Sequence, residues 1–128
     1  MSSWTAMAIL PMAAVLGTYP ARGDEAFDQC KAAANADVGA CGEAWLAREQ
    51  GALDAKWLSI IEQTDGGVAD SLASEQTAWL AFKDASCGFM RDNAFAPGGD
   101  KTTFFACRAR IIQARSNTLA AYAAYIDN

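Results

Sequence analysis

The sequence predicts a small all-α protein: an up-down bundle of three long helices with one short helix before them, closed by two disulfides. Three observations carry this. Apolar residues make up 52% of the 128, and they recur at three- and four-residue steps over segments longer than ordinary strands. Proline occurs only 3 times and alanine is abundant, which leaves long stretches free for helix. Cys30, Cys41, Cys87 and Cys107 form an even set in a short chain, and an exported chain of that kind implies a disulfide framework. The length suits one domain.

Residues 1–23 read as a signal peptide, leaving residues 24–128 as the domain. The apolar run from Ala6 to Gly17 has the length of a signal-peptide core and falls short of the ~20 residues that span a bilayer. Ala21 and Gly23 are small residues at the −3 and −1 positions of a cut before Asp24. The opening MSSWT lacks lysine and arginine, so the competing reading is a retained, buried N-terminal helix. No cysteine directly follows the run, so no lipid anchor is expected. The expected product is periplasmic or secreted, without stable membrane insertion after cleavage.

The first helix is expected over about 25–35, ending near Asn35. The second spans about 40–64, with Trp45, Leu46, Leu53, Trp57, Ile60 and Ile61 on one stripe. Gly51 interrupts it at a cost of about 1 kcal/mol relative to alanine. Thr64-Asp65-Gly66-Gly67 forms a tight connection that makes the second and third helices antiparallel neighbours. The third covers about 68–92, its stripe being Val68, Leu72, Trp79, Phe82 and Met90. Pro97-Gly98-Gly99 breaks the pattern. Asp100 or Thr102 then caps a fourth helix that runs to about Ile126, with Phe104, Phe105, Ile111, Ile112, Leu119, Tyr122 and Ile126 on its apolar side. Stripes at this spacing place Trp57 and Trp79 in the core rather than on a ligand.

Four cysteines allow three pairings. Cys30–Cys41 and Cys87–Cys107 are favoured because each pair brackets a break in helical pattern, at Asn35–Gly39 and at Ala96–Asp100. Each would stabilise by roughly 3 kcal/mol in the chain-entropy model. A zinc site is disfavoured, since the chain has no CxxC pair and no histidine.

The absence of histidine also removes the commonest general base and the usual partner of a serine or cysteine nucleophile. There is no P-loop, GxSxG or HExxH, and nothing singles out a raised-pKa acid beside an ionised one, as glycoside hydrolysis needs. The chain reads as a non-enzyme without cofactor or metal. Its formal net charge is −5, and loss of residues 1–23, whose one charged side chain is Arg22, makes it −6. That sign disfavours nucleic acid and suits a basic protein partner; the plainer reading is solubility.

The segment Leu72 to Cys87, LASEQTAWLAFKDASC, resembles the signature of the LprI-like family, which runs L-x-x-x-Q-x-x-W-[IL]-x-[FY]-[RK]-D-x-x-C. Leu53-Asp54-Ala55-Lys56-Trp57 is similar to that family's Leu-Asn-x-x-Tyr element. Gly98-Gly99, Cys107, Arg115 and Leu119 resemble its closing pattern. Lys83 replaces the commoner arginine and Asp54 the commoner asparagine, which bears on any network needing a guanidinium or an amide there. The resemblance covers about 27–126. It implies an exported, disulfide-bonded helical domain, with lysozyme inhibition for the family's namesake.

The motif residues Gln76, Trp79, Asp84 and Arg115 are expected to fix helix packing. Arg115, close to an apolar stripe, needs a partner, with Asp84, Glu49 and Asp54 as candidates. The function expected from the resemblance is a protein-binding module that inhibits a basic lysozyme-type glycosidase by occluding its cleft. Asp92, Asn93, Asp100 and Lys101, on the pinned 92–101 loop, form the candidate contact surface. The alternatives are an envelope interaction or stress module with another partner and, well behind, a small cell-wall hydrolase.

Overall fold

The structure is a computed structural model, and it describes residues 23–91 and 101–127. The expected signal peptide, except Gly23, and the expected loop residues Asp92, Asn93 and Asp100 lie outside the described residues. The described chain is helical throughout: α1 (Glu25–Ala32), α2 (Val38–Ile61), α3 (Gly66–Ala85), a single turn α4 (Gly88–Arg91) and α5 (Lys101–Ile126).

Short α1 cannot hold itself together, because a helix of this length lacks enough hydrogen bonds to repay nucleation. It is fixed from outside. Asp24 is its N-cap, with Oδ1 accepting the Phe27 N–H at 2.7 Å. The same carboxylate pairs with Arg48 on α2. Phe27 is buried and stacks on Trp45 at 4.9 Å between ring centres. Asn35 then turns the chain in the left-handed region at φ 59°, which asparagine tolerates better than most residues. Asp37 caps α2 through the Ala40 N–H at 3.1 Å.

Two disulfides, Cys30–Cys41 and Cys87–Cys107, have Cα separations of 5.7 and 6.1 Å. The local pairing expected from the sequence is therefore the one present. The first ties α1 to the opening turn of α2. The second ties the end of α3 to α5.

Cross-helix contacts fix the directions. Gly42 of α2 lies against Phe105 of α5, and Glu49 accepts from Gln113 further along both helices, so α2 and α5 are parallel. On α3 the order reverses: Arg108 donates to the Ser86 carbonyl, Arg115 to Gln76 and Tyr122 to Glu75. Thus α3 runs antiparallel to α5, and hence to α2. The up-down bundle is as expected, but α2 packs chiefly on α5 and only lightly on the sequence-adjacent α3. At Gly42 an added Cβ would lie 2.1 Å from the Phe105 ring, so this crossing requires glycine.

The core has two centres. Around the disulfides lie Phe27, Cys41, Trp45, Cys87, Phe104, Phe105 and Ala109. Farther along, Leu53, Ile60, Ile112 and Leu119 form the second, and half-buried Trp57, Leu72, Trp79, Tyr122 and Ile126 pack against it. The expected α5 stripe and, on α2, Trp45, Leu46, Leu53, Trp57 and Ile60 lie in or against these centres, whereas Ile61 belongs to neither. The expected stripe of α3 does not hold throughout: Val68 and Phe82 are 57% and 58% exposed, because α3 forms a thin outer layer and covers the core from one side only.

The third helix also ends earlier than its pattern suggests. Ser86 is extended and Cys87 adopts φ 68°, a left-handed conformation that costs a non-glycine residue about 1 kcal/mol or more. The bridge to Cys107 holds Cys87 in that turn, and Met90 therefore belongs to α4 rather than to a continuous third helix.

Candidate functional site

The most organised polar group in the bundle joins α3 and α5. Arg115 is 6% exposed and Gln76 8%. The Gln76 Oε1 accepts from Arg115 Nε at 3.0 Å and from Nη2 at 2.9 Å. The remaining Nη1 donates to Glu75 Oε1, which also accepts from the Tyr122 hydroxyl at 3.0 Å. All three nitrogens of the guanidinium are therefore engaged, the condition under which a buried arginine is tolerated.

The partners differ from the candidates Asp84, Glu49 and Asp54. Glu49 instead accepts from Trp45 and Gln113, and Asp54 accepts from Gln50 on its own helix. Asp84 leaves its carboxylate 74% exposed, 3.9 Å from Lys83; its backbone carbonyl takes a 3.3 Å bond from Arg108. The antiparallel register of α3 on α5 decides this, placing Glu75 and Gln76 opposite Arg115.

Trp79 completes the arrangement. The Arg115 guanidinium lies 5.9 Å from its ring centre and the Lys83 ammonium 5.7 Å, so the indole is approached by two cations. Lys83 also donates to Gln50 Oε1 on α2 at 3.0 Å, which joins α3 to both long neighbours. Gln76, Trp79, Lys83 and Arg115 are thus brought together, whereas Asp84 stands apart. Neither Glu75 nor Tyr122 is among the motif positions that the sequence singles out. Tyr122 had a usable signal, lying seven residues after Arg115 and so on the same helical face.

Glu75 has its pKa held below the ordinary 4.5, first by the Arg115 hydrogen bond, against the opposing effect of burial, with help from Tyr122 and from the charge of Arg115. A carboxylate stabilised as the anion is a poor proton donor at neutral pH. All four cysteines are in disulfides, so no thiol is available. Among the described residues no group of three metal-binding side chains occurs.

Two shallow grooves flank this clamp. One, of about 370 Å³, runs between α3 and α5 and is walled by Trp79, Phe82, Ile111, Ala114 and Thr118 with Arg110 and Arg115. The other, of about 250 Å³, is more polar and includes Glu43, Gln50, Lys83 and Arg108. Of the expected loop residues, Lys101 is described, and it is exposed at the start of α5. No described helix is long and apolar enough to cross a membrane.

No curated protein and no solved structure matches the chain. A family model described as lysozyme inhibitor LprI matches residues 28–119, a span that includes both disulfides and the whole Glu75–Gln76–Trp79–Arg115 clamp. Disulfides of this kind and the family together suggest an extracytoplasmic protein. With most of its length matched, and with the helices and bridges that the motif implied, the chain belongs to the LprI lysozyme-inhibitor family.

Proposed function

We propose that the chain is an exported binding module that inhibits a lysozyme-type glycosidase by occluding its sugar-binding cleft. The match of residues 28–119 to the lysozyme-inhibitor family supports this most directly. Charge agrees with it, because a net negative domain is steered toward a basic partner. Inhibition here needs no chemistry from the chain: its role is to present a rigid surface.

In this reading residues 1–23 are a removable signal and the working domain is 24–128, in the periplasm or secreted. The N-cap role of Asp24 and its link to Arg48 support a domain that starts at that residue. The contact surface is the 92–101 segment, with Asp92, Asn93, Asp100 and Lys101. Its flanks, α4 and α5, are tied by Cys87–Cys107, and a tethered segment loses less entropy on binding.

The test is clearing of a peptidoglycan suspension by lysozyme with and without the purified protein. Slowed clearing at stoichiometric protein is expected, and added salt should weaken the effect. Asp92→Lys combined with Asp100→Lys should reduce inhibition without lowering Tm. Unaltered clearing at every concentration would replace this reading with an envelope module for another partner, and clearing by the protein alone would make it a hydrolase.

A further inference from the structure

Three large side chains stand in solvent along one side of the bundle: Val68 and Phe82 on α3, 57% and 58% exposed, and Tyr125 on α5, 83% exposed. Val68, Glu75 and Phe82 follow at seven-residue steps, as do Ile111, Thr118 and Tyr125, so each set keeps to one face of its helix. Contacts identify the faces. Phe82, Ile111 and Thr118 line the α3–α5 groove, and Glu75 meets Arg115 and Tyr122 across the seam. Because the helices are antiparallel, Phe82 marks one end of the seam, while Val68 and Tyr125 lie toward the other. At 1.5 Å per residue Val68 and Phe82 are about 21 Å apart along the axis.

Charge is polarised from one end of the bundle to the other, and Arg110 lies on the seam itself. Apart from Arg115, whose charge is met by Glu75, the first half of α5 carries Lys101, Arg108 and Arg110 with no acid, and from Ser116 to Asp127 the chain has no cation. From Trp57 to Phe82 it has Glu62, Asp65 and Asp70, besides the Glu75 paired with Arg115, and no lysine or arginine; Lys83 and the exposed Asp84 follow directly after Phe82. Cations therefore cluster toward the Phe82 end, and the Val68–Tyr125 end is acidic. A strip with apolar residues along its length and opposite charges at its two ends is complementary to a copy of itself turned end over end, the requirement of a two-fold interface.

We propose that two copies of this chain dock antiparallel through the α3–α5 seam. Phe82 of each copy packs against the Val68–Tyr125 end of the other, and Arg110 of each faces the other's acidic end. A foreign partner would have to supply this polarised pattern; a second copy already carries it. The proposal does not depend on lysozyme inhibition.

Sedimentation equilibrium on the purified, disulfide-intact protein tests it. A reversible monomer–dimer equilibrium is expected, weakened by salt. Phe82→Glu should raise the dimer Kd about tenfold or more with unchanged far-UV circular dichroism. Tyr125→Glu, at a still more exposed position, probes the same surface should Phe82→Glu disturb folding. Arg110→Glu should weaken the dimer, and adding Asp127→Lys to Arg110→Glu should restore it. A monomer at every concentration up to about 1 mM, a range that covers all but the weakest specific contacts, overturns the proposal. So does a dimer indifferent to both Phe82→Glu and Tyr125→Glu, or a charge swap that fails to restore association.

Discussion

Toward α2, helix α5 presents Phe105, Ile112 and Leu119, all nearly or wholly excluded from water, and Gly42 lets the two helices approach closely. Toward α3, the same helix presents Arg115, Ile111 and Tyr122, and the one buried residue of α3 is the amide Gln76. The first interface relies on apolar area and close packing, which act without direction. The second relies on hydrogen bonds to one guanidinium, which weigh less in net stability but fix register. Stability and alignment are thus assigned to different faces of one helix.

Substitutions on the two faces test this division. Leu119→Ala, at a side chain with no exposure, should cost the most, about 3–4 kcal/mol in urea unfolding. Arg115→Ala should cost about 2 kcal/mol, less than the full penalty for breaking a buried pair because Glu75 is 43% exposed and can rehydrate. If Arg115→Ala proved costlier than Leu119→Ala, the division would be wrong. Gly42→Ala should destabilise by about 1–2 kcal/mol through collision with Phe105. Gly51→Ala, nine residues along the same helix with nothing near its missing Cβ, should stabilise by up to about 1 kcal/mol.

The smallest effect concerns acid. Glu75 has a lowered pKa in the folded protein, so its contribution to stability is fully present above its unfolded value. It is lost as pH falls below about 4.5 and through the folded value. Glu75→Gln should therefore flatten the dependence of Tm on pH in that acidic window and leave the slope near neutrality unchanged. An unchanged acid slope would mean that the Arg115–Glu75 contact adds no pH-dependent stability.

Much of this molecule was legible in its sequence, for identifiable reasons. The stripes of α2 and α5 are long and regular, so their periodicity located both helices to within a few residues. The disulfide pairing followed from breaks in pattern that each pair brackets. Periodicity does not say which stripes are covered, so Val68 and Phe82 share the pattern of a core that reaches neither. The end of α3 was hidden because Cys87 is held left-handed by a bridge to a residue on another helix. The sequence shows that Arg115 needs a partner, but the register of α3 on α5 is what selects Glu75 and Gln76. Gly42 gave no local signal: what demands glycine there is a ring 63 positions away in the chain.

That long separation also governs when the molecule can assemble. In a chain delivered N-terminus first, α1 and α2 can meet early and close the Cys30–Cys41 bridge. The apolar face of α2 nevertheless has no proper cover until residues 101–126 arrive. Contacts so distant in sequence form late and slowly. Cooperative collapse of the bundle therefore waits on the last helix.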